Sequence, residues 1–325
     1  MTAFIIRRLM QSAMVVFAMS VLVFFGVSVI GDPVDVLVSP DADQEEIERV
    51  TKQFGFDLPK WQQYLLFMKG AFQGDLGKSF VFGESALQLI FDRLPATLEL
   101  TVASLLMAII IGIPLGLYAG LKPNSFAAKS IMATSIFGFS LPTFWVGLML
   151  IMIFSVILGW LPTTGRGQTA EFLGITSSYF TLNGLSHLFL PAFNLALLKI
   201  SLVIRLTRAG TREAILQDYI KFARAKGLAP SRIVLVHLLK NILIPVVTVL
   251  GLEFVGQVAF SVVTETIFAW PGMGKLLIDS ILQLDRPIIV AYLVMIVLLY
   301  VVVNLIVDIV YSLLDPRVRL GEKSS

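Results

Sequence analysis

Ionisable residues are scarce in this chain, and those inside apolar runs are where chemistry would be done. Glu253 and Gln257 stand four residues apart within the run 241–264, a spacing that puts both on one helix face. A carboxylate there could receive a cationic group of a ligand or pass a proton. The amide beside it could hydrogen-bond the same ligand, or the pair could simply tie this helix to a neighbour. Asn304 and Asp308 repeat the spacing in the run 288–312, where contact with Arg or Lys of a partner or of the tail is the simpler reading. Lys199 lies close enough to the end of its run to snorkel, and Glu99 stands at the start of another, where an interfacial position suits it.

Other chemistries are excluded. There is no Cys, hence no disulfide, thiol nucleophile or Cys-ligated metal. His187 and His237 leave almost nothing for a metal site. Gly74-Asp-Leu-Gly-Lys-Ser79 looks like a phosphate cradle, but that pattern needs a glycine five residues before the Gly-Lys pair, and Phe72 stands there. An intramembrane enzyme would need a nucleophile and base facing each other. No Gly-x-Ser-x-Gly lies in an apolar run, and no such pair is evident. Neither catalysis nor a cofactor is expected.

These residues need elements to hold them, and the composition says which. Of 325 residues 57% are apolar and 14% charged, with mean hydropathy +0.86; soluble domains carry about 25% charged residues. About 20 apolar residues cross a bilayer as a helix, and six segments qualify: 9–30, 97–120, 130–159, 188–204, 241–264 and 288–312. The expected fold is all-α and polytopic. Gly112-Ile-Pro-Leu-Gly116 predicts close helix packing or a kink, and Leu141-Pro142-Thr143 another kink. Arg7-Arg8 and the apolar run behind them mimic a signal peptide, but no small-x-small cleavage site follows, so the first span is read as retained.

Lys and Arg in short loops set orientation. With the N-terminus inside, fifteen basic residues fall on the inner side and three on the short outer loops 160–187 and 265–287. Both termini are therefore expected in the cytoplasm. The net charge of +3 comes from these loops and is no nucleic-acid footprint. Residues 1–30 form the tail and first span, 31–96 an extracytoplasmic lobe, 97–312 a five-helix core, and 313–325 a cytoplasmic tail. The lobe is acidic, with short helices expected over 44–54 and 61–72. Trp270-Pro-Gly-Met-Gly274 reads as a rigid outer turn, either a gate or docking contact or an interfacial aromatic anchor.

The core's inner loop, 205–240, holds eight basic and two acidic residues. A helix is expected over 209–225. Gly227 breaks it, and Pro230 suits the first turn of a return helix running through Ile233, Leu235 and Leu238 toward Asn241. Such a hairpin is a stiff knob that a partner can push. Pairing with anionic lipid is the alternative, although lipid binding calls for neither small residues nor a sharp break.

The run Asp218-Tyr219-x3-Ala223-Arg224-Ala225-Lys226-Gly227-x9-His237-x2-Lys240-Asn241-x3-Pro245 resembles the ATPase-docking loop of ABC-importer permeases, in the dipeptide, oligopeptide and nickel branch. Gly31-Asp32-Pro33, Phe54-Gly-Phe-Asp57, Pro59, Gln63-Tyr64, Gly74-Asp-Leu-Gly77, Ser79, Leu94-Pro-Ala-Thr97, Glu99-Leu100 and Trp270-Pro-Gly-Met-Gly274 extend the resemblance across nearly the whole chain. Lys221-Phe222-Ala223 stands where the broader family has Glu-Ala-Ala, and Lys240 where it has Pro; both departures suit the peptide branch. Leu284-Asp-Arg-Pro287 departs slightly from that branch's usual Arg-Asp-Tyr-Pro, with no consequence drawn.

The resemblance implies a six-span subunit of the type I importer fold that pairs with a second, homologous permease. Two cytoplasmic ATPases would grip the loops, with Asp218, Tyr219, Ala223, Arg224, Ala225, Lys226, Gly227 and Leu228 as the coupling residues and 223–228 seated in an ATPase groove. An extracytoplasmic binding protein would deliver dipeptides or short oligopeptides; nickel chelates, glutathione and oligosaccharides are carried by relatives. Glu253 and Gln257 are the candidates for the path. A proton-coupled secondary carrier is the rival, and it would typically show acids and bases along a midplane path and repeated halves; no repeat is evident here.

Overall fold

A computed structural model describes residues 2–29, 34–38 and 41–314. Gly31-Asp32-Pro33 and the tail beyond 314 lie outside the described residues. The chain opens with α1 (Thr2–Val27) and the single turn α2 (Val34–Leu37). α3 (Gln44–Gln53) starts where Asp43 Oδ1 accepts from Glu46 N at 2.8 Å, with two acids in its first turn facing the helix dipole. α4 (Lys60–Phe72) follows Pro59. Next come the long helix α5 (Ala86–Leu121), α6 (Phe126–Ser140), α7 (Thr143–Leu150) with a π-helical stretch Ile151–Ile157, and the hairpin β1 (Ala170–Phe172) and β2 (Ile175–Ser177). α8 (Leu182–Ala214), α9 (Asp218–Ala225) and the short α10 (Pro230–Arg232) lead through a π-helical stretch Ile233–Leu238 into α11 (Leu239–Phe260). α12 (Val262–Ile267), α13 (Met273–Leu282) and α14 (Arg286–Leu314) complete the described chain.

Five stretches are long and apolar enough to span a membrane: Met10–Val27, Ala86–Leu121, Leu182–Ala214, Pro230–Phe260 and Arg286–Val307. The sixth expected span, 130–159, is not one straight helix. α6 and the helical stretch Thr143–Ile157 are together long and apolar enough to cross, but they meet at 105°. Pro142 disfavours the helical region for the residue before it, and Leu141 is extended at ψ 139°. The expected kink is therefore a break. The segment 188–204 is the middle of the much longer α8, and the second span begins well before 97. The helix expected over 209–225 is interrupted between Ala214 and Asp218. The β1–β2 hairpin, antiparallel with Glu171 opposite Thr176, is a departure from an all-helical chain that no sequence pattern signals.

Two compact units emerge. One is built from residues up to 97 together with 271–309, the other from 98–270. The first packs Val23 and Val27 of α1 against Ile289 and Val290 of α14, with Phe67 of α4 alongside; Ser20 Oγ and Tyr64 Oη share a hydrogen bond at 2.9 Å. Its outer loop folds around Asp285, which is fully buried. Ser79 Oγ donates to that carboxylate, as do Phe80 N at 3.1 Å and Val81 N at 3.4 Å. The hydroxyl that ends the cradle-like segment, and the two amides just after it, are thus given to a carboxylate of the same chain. Asp285, to which the sequence assigns no role, closes that loop.

The second unit is organised around α8. Its core joins Ile200, Val203 and Ile204 of α8 to Ile242, Val246 and Leu250 of α11, and to Ile220 and Ala223 of α9. Gly112, Gly116 and Gly120 of α5 lie directly on α8. A Cβ at Gly116 would stand 2.7 Å from Ile204 O and 2.7 Å from Thr207 Cβ. Small residues thus bring two backbones together where no hydrophobic effect drives helix association. The carbonyl cannot yield, so Gly116→Leu is expected to cost about 1–3 kcal/mol of stability. The check is the thermal shift of the purified chain, with Gly26→Ala as control, since a Cβ there meets nothing within 4 Å.

Candidate functional site

The hairpin after α8 is assembled by local chemistry. α9 ends at Lys226, Gly227 takes φ +72°, and the orphan carbonyls are satisfied: Gly227 N donates to Arg224 O at 2.9 Å and Leu228 N to Ala223 O at 3.3 Å. This is a Schellman ending, which places glycine in the left-handed position. Ala229 is then extended, and Pro230 opens the return helix at a position that lacks a hydrogen-bond partner in any case. Ile220 and Ala223 are buried against Ile233, Leu238 and Ile242, and Leu228 packs beside them. The knob is thereby fixed to α8 and α11 through its inner face.

Its outer face is a different surface. Tyr219, Phe222 and, just before the helix, Leu216 are exposed. Asp218, Arg224, Ala225 and Lys226 are exposed with them. Lys221 Nζ meets Asp218 Oδ1 at 2.9 Å, a fully solvated pair of little energetic weight. Lys226 Nζ sits 4.5 Å from the Phe222 ring centroid, a cation–π distance. Of the coupling residues that the sequence points to, Ala223 faces inward as an anchor. Phe222 is not among them, yet it is the largest apolar side chain α9 presents; its place one residue before the buried Ala223 is the available signal.

Glu253 and Gln257 sit on one helix but do different things. Gln257 is buried, and its Nε2 donates to Ser104 Oγ and to Leu195 O at 3.5 Å, tying α11 to α5 and α8. Within the chain it serves as a helix–helix tie. Glu253 pairs with Lys199: Nζ to Oε2 is 2.5 Å. Lys199 thus points across to α11 rather than snorkelling along its own helix. Asn304 Nδ2 donates to Tyr300 O at 2.9 Å within α14; the Asp308 side chain lies outside the described part.

On the side expected to face outward, Glu99 is buried rather than interfacial. Arg166 Nε and Nη2 reach its Oε2 at 3.0 and 2.5 Å, and Ser178 N donates to Oε1 at 2.8 Å. Tyr179 Oη donates to Glu99 O at 2.6 Å. These contacts pin the loop carrying β1 and β2 to α5. Burial, and secondarily the Glu99 charge, push the Tyr179 hydroxyl up to about 12 from its usual 10.0. The neutral phenol is the favoured form. Its contribution to stability is present below pH 10 and is lost as pH rises through 12. In a wild-type minus Tyr179→Phe difference titration, phenolate absorbance should appear only near the upper value. Trp270 is fully buried and so serves neither as an interfacial anchor nor as a docking face.

Long apolar helices, a broken span and a basic hairpin packed on α8 and α11 are features of a membrane-spanning subunit. Residues 112–320 match the family described as binding-protein-dependent transport system inner membrane component, and residues 1–101 match its N-terminal domain family. The chain belongs to that family: it is a multi-span inner-membrane subunit of a binding-protein-dependent ABC transport system. It is 39% identical to a di/tripeptide transport system permease protein of Pseudomonas aeruginosa over 98% of this chain and 99% of that one. It is 40% identical to an oligopeptide transport system permease protein of Bacillus subtilis, covering 98% and 100%. A glutathione transport system permease protein of Escherichia coli is 36% identical over 98% and 99%. Among solved structures, the MetNI methionine ABC transporter matches at TM-score 0.51 and 19% identity over 69% of this chain and 94% of that one, a likeness of fold.

Proposed function

We propose that the chain forms half of the translocation path of an ATP-driven importer of dipeptides or short oligopeptides, and that α9 with its turn is where a cytoplasmic ATPase holds it. The observation that carries this is the two-sided hairpin. Ile220, Ala223 and Leu228 bind it to the spans, while Tyr219, Phe222, Arg224 and Lys226 are free to meet a partner. A lever must be rigidly joined to what it moves, and this one is. The partners are a second homologous permease completing the path, two ATPases, and an extracytoplasmic binding protein that does most of the selecting. Both termini lie on the cytoplasmic side. The relatives' names favour peptides as cargo, and the glutathione permease among them favours a γ-linked tripeptide as the second reading.

The test is uptake by the whole assembly, co-purified from its native membrane and reconstituted in liposomes with its binding protein. ATP-dependent accumulation of labelled dialanine, competed by other dipeptides, supports the reading. Accumulation of glutathione but not dialanine selects the second. Uptake that survives ATP removal and collapses with the proton gradient would make the chain a secondary carrier.

A further inference from the structure

We infer that Lys199 and Glu253 form a binding pair for the two termini of a peptide inside the translocation path, the ammonium taking the terminal carboxylate and the carboxylate the terminal ammonium; this rests on the peptide-permease reading above.

Both residues belong to spanning helices, Lys199 near the middle of α8 and Glu253 in the outer half of α11. A charge pair there is a costly way to join two helices. It is also unnecessary, because Ile200, Ile204, Val246 and Leu250 already pack into the same core. The pair is unevenly covered: the Lys199 side chain is 17% accessible and that of Glu253 43%. A carboxylate so open would be strongly unfavourable against hydrocarbon, so its open side calls for water, a polar ligand or a polar partner surface. Only Oε2 meets Lys199; among the described residues Oε1 makes no hydrogen bond. One turn further along, a Cβ at Gly256 would meet nothing within 4 Å, so the helix surface beside the carboxylate is clear.

What such a site recognises follows from its chemistry. Every free peptide carries one ammonium and one carboxylate, whatever its side chains. A lysine and a glutamate read that common feature and ignore the rest, which suits broad peptide cargo. The exchange also keeps charge balanced: as Lys199 and Glu253 part, each takes an opposite charge from the peptide, so no bare ion appears in the membrane. The termini of a dipeptide are roughly 7 Å apart at full extension, and both side chains are long enough to separate by a comparable distance.

The chain has no Cys, so Glu253→Cys introduces a unique thiol in this subunit. The experiment uses the full reconstituted complex with its binding protein, reading modification of this chain by mass spectrometry. A charged methanethiosulfonate reagent should label the introduced thiol, and turnover with dialanine and ATP should protect it. Uptake by the variant should fall about tenfold, the weight of one charge-assisted hydrogen bond. The ethylsulfonate reagent, which restores a negative charge, should recover most of that loss; the trimethylammonium reagent should not. Failure to label in the assembled complex would mean the pair is sealed at a subunit contact and overturns the inference. Labelling without protection, or recovery by either reagent alike, overturns it too. Wild-type uptake is measured alongside. Dialanine import by wild type together with a negative result for the thiol variant removes the pair alone. No import by wild type removes the peptide reading and the pair with it.

Discussion

Gly227→Pro should abolish ATP-driven uptake while leaving membrane insertion and assembly of the transport complex intact. Proline holds φ near −65°, and Gly227 sits at +72°. Proline also lacks the N–H that Gly227 donates to Arg224 O at 2.9 Å. The Schellman ending cannot form, so Leu228 leaves its seat beside Ile220 and Ala223 and the knob loses its direction. The expected result is ATPase activity no longer stimulated by loaded binding protein and uptake reduced to background, with the same gel-filtration profile. Gly227→Ala grades the effect, since a left-handed alanine costs only about 1–2 kcal/mol: coupling should weaken rather than vanish. Normal uptake by the proline variant would mean that the turn transmits nothing.

Glu99→Ala should be the most destabilising single change on the opposite face. Glu99 is buried and accepts from Arg166 twice and from Ser178 N. Its removal leaves a largely covered guanidinium and a buried amide without their acceptor, for which a loss of about 3–5 kcal/mol is typical. The loop from Arg166 to Thr181 should detach from α5 and become open to protease, and the chain should melt well below wild type. Replacing both partners, as in Glu99→Leu with Arg166→Met, should recover much of the loss, because the penalty comes from the stranded charge. If the double change is as damaging as the single one, the loop is held by something other than this pair.

Much of this organisation is legible along the chain. Six apolar stretches, the acidic lobe, the basic inner loop and the Gly227–Pro230 turn depend on a residue and its near neighbours. Hydrocarbon requires each spanning segment to satisfy its own backbone, and a helix end declares itself by its glycine. The break at Leu141 is visible as a proline but not in its size, because the angle between α6 and α7 depends on what each packs against. The β1–β2 hairpin has no signal at all: its strands are three residues long and sit in a loop held by Glu99 and Arg166, far apart in sequence.

The polar residues of the spans show the limit most clearly. Glu253 and Gln257 share a helix face by spacing, and the chain says no more than that. Uniformly apolar helices carry little record of which side faces a neighbour, so rotation and depth are settled by packing. The glycines of α5 set its approach to α8, and that approach helps place Ser104 against Gln257. Contact between α8 and α11 brings Lys199 to Glu253, and the folding of the outer loop brings Ser79 to Asp285. The apolar spanning stretches and the turn at Gly227 follow from the residues alone, because the bilayer and the turn act locally. Which charges meet does not, because ion pairs join residues far apart along the chain, and it is the packing of helices that brings them together.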